Sequence, residues 1–163
     1  SKKEKNMHNY GLFYKKHVFL FCIVNVLMYL CKEEYNNKIE QMIYFISKKL
    51  EISAAHSLTL SYESKCSSLH GHNWEIELFF VGKELNQDGM VIDFTHVKKA
   101  VHSKLDHANL NEVFDFNPTA ENIGRWLVNL FPECYKASVQ ESFGNTAVVI
   151  DEEKIKGIEN LIP

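Results

Sequence analysis

Apolar and polar positions alternate along two stretches of this chain and recur with helical spacing along two others. Between Leu50 and Leu60, Ile52, Ala54, His56, Leu58 and Leu60 occupy every second position, so they share one face of a strand. Met42 to Leu60 is therefore predicted as a long first strand, bent near Lys48-Lys49. Ser61 to Ser68 is small and polar, a loop. His70 to Val81 alternates again, with His70, His72, Trp74, Ile76, Leu78 and Phe80 on one face. Asp88-Gly89 marks a turn. Val97, Val101 and Leu105 then form a helical stripe, with Thr95 as the expected cap. Leu105-Asp106-His107-Ala-Asn-Leu110 ends that helix and enters a loop. A second helix opens at Pro118-Thr119, capped by Thr119, with Ile123, Trp126, Leu127 and Leu130 as its stripe and Pro132 beyond its end. Ala137–Glu141 and Thr146–Asp151 read as a closing hairpin across Ser142–Asn145. Two strands, two helices and two strands predict an α+β fold, an antiparallel sheet with helices on one face.

The first 41 residues break this pattern. Lysines at 2, 3, 5, 15 and 16 precede an apolar run from Val18 to Cys31. The run is shorter than the ~20 residues that span a bilayer, and no small-residue cleavage site follows it. An appended N-terminal extension is expected at 1–41, and a domain at 42–163.

Composition narrows the reading only modestly. A net charge of −3 gives no electrostatic case for nucleic acid or an anionic membrane as partner. Four cysteines (Cys22, Cys31, Cys66, Cys134) without a CxxC pair predict reduced thiols and a cytoplasmic protein.

The chemistry gathers on histidines. His70 and His72 look out from the same strand face, and His56 lies on the inward face of its neighbour. A lone histidine is ordinarily structural, but three convergent imidazoles with an open position match a catalytic zinc site. Cys66, four residues before His70, is the candidate base, its thiol activated by a nearby dication or imidazolium; as a fourth ligand it would make the site structural instead. Asp106-His107 pairs a carboxylate with an imidazole at a helix end, and Glu141 could accept paired N–H donors of a guanidine-like ring.

Read together, Ser53-Ala-Ala-His56, Cys66-x3-His70-Gly-His72-Asn73, Gly89-Met-Val-Ile-Asp93-Phe94, Leu105-Asp106-His107-x-Asn109-Leu110, Asn117-Pro-Thr119-Ala-Glu121-Asn122 and Glu141-Ser142 resemble the 6-pyruvoyl-tetrahydropterin synthase / 6-carboxytetrahydropterin synthase family from about residue 43 to 151. The resemblance implies a tunnelling fold (T-fold): a four-stranded antiparallel sheet with two helices, three copies closing a twelve-stranded barrel, as a trimer or a dimer of trimers. It implies Zn2+ on His56, His70 and His72, Cys66 as general base, Asp106 and His107 as a proton relay, and Glu141 as the anchor of a pterin ring with Thr119 and Glu121 nearby. The implied substrate is 7,8-dihydroneopterin triphosphate, bound between subunits. Pyruvoyl-forming members carry five residues between the cysteine and the His-Gly-His run; this chain has three, like the 6-carboxytetrahydropterin synthases of queuosine biosynthesis. A pyruvoyl-forming enzyme and a non-catalytic zinc-dependent pterin binder are the competing expectations.

Overall fold

The computed structural model describes residues 25–32 and 42–163. The chain divides into two units, residues 1–42 and 43–163. In the first, residues 25–32 are helical; the expectations for the rest of the apolar run and for Cys22 lie outside the described residues. Among the described residues no helix is long and apolar enough to cross a membrane.

The second unit carries four strands, β1 (Tyr44–His56), β2 (His70–Gly82), β3 (Cys134–Ser142) and β4 (Asn145–Ile150), in the order β1-β2-β3-β4, all antiparallel. Between β2 and β3 come three helices, α1 (Phe94–Leu105), α2 (Leu110–Val113) and α3 (Ala120–Leu130). Leu50, Ile52 and Ala54 of β1, Trp74, Ile76, Leu78 and Phe80 of β2, and Ala137 and Val139 of β3 point to one face and are buried. Onto them pack Val97, Val101 and Leu105 of α1 and Ile123, Leu127 and Val128 of α3. Each such aliphatic side chain contributes about 1.5–3 kcal/mol by leaving water. The opposite face is polar along much of its length. At one end Phe45, Phe79 and Val81 pack with Tyr135, Ile155 and Ile158, so the C-terminal turns cover that part of the sheet.

Several boundaries differ from the sequence reading. β1 does not reach Leu60: its ladder with β2 runs unbroken past Lys48-Lys49 and stops at the His56–His70 pair. Beyond it, asparagine side chains replace strand partners. Asn111 accepts from the Ser57 N–H and donates to the Ser57 carbonyl, and Asn117 does the same for Thr59. The cap of α1 is Asp93, whose carboxylate accepts from the Thr95 N–H at 2.7 Å; Thr95 is already inside the helix. Thr119 does cap α3, accepting from Asn122 N. β3 starts at Cys134, before Ala137, and the single turn α2, capped by Asn109, falls in the expected loop.

Candidate metal centre

Register assembles the site. His56 closes β1 and His70 opens β2, directly opposite each other; His72 sits across from Ala54. Side chains two residues apart in a strand share a face, so all three imidazoles stand at one end of the helix-covered face. Their nearest ring nitrogens all lie within 4.8 Å of one another, and the ring centroids are 4.6, 5.3 and 4.9 Å apart. Trp74, fully buried, forms the floor, edge-on to His56 and His72, and its indole N–H is held by the Ala54 carbonyl.

Outer contacts orient the rings. His56 Nδ1 meets the Pro118 carbonyl at 2.8 Å and His70 Nδ1 meets the Ser68 carbonyl at 2.8 Å. A carbonyl only accepts, so each Nδ1 carries the proton and each Nε2 keeps its lone pair, the tautomer a metal ligand requires. Nε2 of His56 and of His72 are both buried with no hydrogen-bond partner. Buried polar atoms are ordinarily satisfied; two unpartnered ring nitrogens in one histidine cluster fit a divalent cation with nitrogen ligands. Burial is the dominant influence on His56 and holds its pKa below the ordinary value, against the opposing pull of the Pro118 carbonyl and the Glu141 carboxylate.

The string from Asn117 to Asn122 supports this centre from outside. Asn117 ties down Thr59, Pro118 orients His56, Thr119 caps α3, and Asn122 donates back to the Asn117 carbonyl. Glu121 is exposed in the first turn of α3, where a negative charge suits the helix N-terminus.

Of the other predicted residues, Glu141 reaches the histidines, whereas Cys66, Asp106 and His107 are not part of the three-histidine group. Cys66 is an exposed free thiol in a short turn, its N–H capped by Ser64, and is absent from the three-histidine group. Asp106 closes α1. Its Oδ1 accepts from Ser53 N at 3.0 Å, and that bond, with His107 and His102, holds its carboxyl below the usual value. His107 follows with φ of 56°, a left-handed conformation uncommon for a residue with a side chain. Its N–H is fixed to the Ser53 carbonyl at 2.7 Å, and its largely exposed ring reaches Asp106 at only 3.9 Å. His107 lines a depression with Ser53, Ala55 and Asn73. The sequence reading missed His102, whose Nδ1 lies 3.4 Å from Asp106 Oδ2; its i, i+4 spacing on α1 is the signal that could have found it. It also missed Glu141's neighbours: the carboxylate faces His56 and His72, at 3.2 and 3.9 Å.

Fold and site define a T-fold protein with a three-histidine metal-type centre. The family model for 6-pyruvoyl tetrahydropterin synthase matches residues 45–153, and the chain belongs to that family. A 6-carboxy-5,6,7,8-tetrahydropterin synthase of Bacillus subtilis is 33% identical over 87 residues, 49% of this chain and 60% of that protein. A relative from Pyrococcus horikoshii is 44% identical over 70 residues, 40% of this chain and 43% of its own. The chain thus spans about half the length of these curated relatives. The solved 6-pyruvoyl tetrahydropterin synthase of Caenorhabditis elegans superposes with a TM-score of 0.56 at 25% identity, over 69% of this chain and 98% of that one.

Proposed function

We propose that this chain is a zinc-dependent lyase. In this reading it converts 7,8-dihydroneopterin triphosphate and water to 6-carboxy-5,6,7,8-tetrahydropterin, releasing acetaldehyde and triphosphate. The observation that carries the reading is the cluster of three imidazoles, two of them with a buried ring nitrogen that has no hydrogen-bond partner, in a chain related to proteins named 6-carboxy-5,6,7,8-tetrahydropterin synthase. His56, His70 and His72 hold the ion. Bound there, zinc supplies Lewis-acid stabilisation of charge developing on the side-chain oxygens. Cys66 takes and returns protons at the side-chain carbons. His107 relays them, with its imidazole tuned by Asp106. Glu141 accepts the paired N–H donors of the pterin ring, with Thr119 and Glu121 beside it.

Because Cys66 and His107 are not part of the three-histidine group, the reading places the substrate between copies, as in a barrel of three chains or a pair of such trimers. A general base acts only within hydrogen-bond reach of its proton or through one water. A cysteine three rather than five residues from His70 stands elsewhere along the substrate side chain, since each extended residue spans about 3.3 Å. By resemblance, the three-residue spacing goes with the branch of the family that cleaves the carbon chain.

Incubation with dihydroneopterin triphosphate and mass analysis of the products tests this, with the carboxylated pterin and acetaldehyde expected. Dominant 6-pyruvoyl-tetrahydropterin without acetaldehyde would select the pyruvoyl-forming reaction. Unchanged substrate, bound equally well by wild type and by Cys66→Ala, would select a binding protein.

A further inference from the structure

Glu141 stands where a fourth metal ligand would stand. Its Oε1 is 3.2 Å from His56 Nε2 and 3.9 Å from His72 Nε2, yet neither nitrogen has a hydrogen-bond partner. His56 has spent its ring proton on the Pro118 carbonyl, so a lone pair on a fully buried nitrogen faces a carboxylate oxygen. Two electron-rich atoms at that distance repel unless a cation or a second ring proton lies between them. Charge-assisted N–H···O contacts close to about 2.7–2.9 Å. Two atoms each bonded to one tetrahedral zinc at about 2.0–2.2 Å are instead about 3.3–3.6 Å apart. The His56–Glu141 distance is close to that of two co-ligands of one ion, while the same oxygen stands farther from His72, at 3.9 Å.

The backbone suits such a role. Glu141 lies at a register shift of the β3–β4 ladder: Gln140 pairs with Thr146 and Ser142 with Asn145, leaving Glu141 with no partner on β4. Bulges of this kind re-aim a side chain and relax the strand locally. The side chain is about one-quarter exposed, so it lies at the mouth of the centre and has room to withdraw.

We infer that in the substrate-free protein Glu141 completes the coordination of the metal held by His56, His70 and His72, and gives up that position when a pterin arrives. The inference rests on the metal reading above and adds a second duty for a residue otherwise assigned to the ring. A carboxylate that exchanges between ion and ring N–H donors would keep the open coordination position from adventitious anions until its substrate is present.

The test uses the full chain, freed of metal and titrated with zinc against a chromophoric chelator, and separately with cobalt(II), whose visible absorption reports ligand type and geometry. Glu141→Gln keeps the shape and removes the charge; Glu141→Ala is measured alongside in case one variant folds poorly. The expected result is zinc affinity at least tenfold weaker than wild type in both, with a changed cobalt spectrum. Affinity that is unchanged or tighter, with the wild-type cobalt spectrum, would overturn the inference while leaving the three-histidine centre standing. A wild-type chain that takes up neither ion would instead sink the metal reading itself.

Discussion

His56 enters this fold as a neutral side chain, and its surroundings make that state matter. The folded protein holds its pKa below 6.5, whereas the unfolded chain restores the ordinary value. The unfolded state therefore binds this proton first as pH falls, and stability falls with it. The metal-free protein is expected to lose stability progressively from about pH 6.5 down to the folded-state pKa, with no contribution from this residue above that window. Asp93 and Asp106, held low by backbone N–H donors, titrate well below it. Denaturant midpoints of the metal-free protein measured between about pH 7 and pH 5 check the sign; a midpoint that rises on acidification contradicts it. Metal stoichiometry is the companion measurement. His70→Ala is expected to lose bound zinc by elemental analysis, and undiminished zinc in that variant would refute the ligand set. Cys66→Ala and His107→Ala are expected to keep their zinc and lose roughly 10²-fold or more in turnover, the scale of a positioned acid or base. A Cys66→Ala protein without zinc would make that thiol a ligand.

At the scale of elements, what the sequence disclosed was whatever depends on period. The two-residue alternation of β2 and the stripes of α1 and α3 are local, and they appear where expected. Convergence of the three histidines was legible for the same reason, since spacing set their face and the β1–β2 pairing needed only the correct register. Side chains that replace a backbone partner were not legible. Asn111 and Asn117 end β1 from more than fifty positions away, and no local pattern announces that. The approach of Glu141 to His56 likewise crosses the sheet. One helix position also defies its local propensity. Replacing a helical glycine by alanine ordinarily stabilises by about 1 kcal/mol. At Gly124 the added Cβ would lie 2.8 Å from Cγ2 of Val149, on the strand beneath, and a β-branched side chain has little freedom to retreat. Gly124→Ala is therefore expected to destabilise by about 1–3 kcal/mol, with Val149→Ala relieving part of the loss in the double variant. A thermal midpoint at or above wild type for Gly124→Ala would contradict this. Thr119→Ala should cost about 1 kcal/mol as a lost cap.

For the whole molecule, the unit from residue 43 onward has a continuous core of its own. A chain beginning at Met42 is expected to fold and to keep its activity; an insoluble or inactive product would show that the preceding residues belong to the working protein. Light scattering should give the mass of three or six chains, and a stable monomer would argue against a closed barrel. The way β1 is finished bears on that assembly. From Ser53 to His56, and on through Thr59 just beyond the strand, the outer edge is already taken, by Asp106, the backbone of His107 and Ala108, and the amides of Asn111 and Asn117. A further strand joining β1 would therefore pair with its earlier stretch, before Ser53. An incoming strand from a second copy would thus meet a doorstop: it can slide along β1 no further than Ser53. The same loop that carries Asp106 would then fix how far one chain overlaps the next.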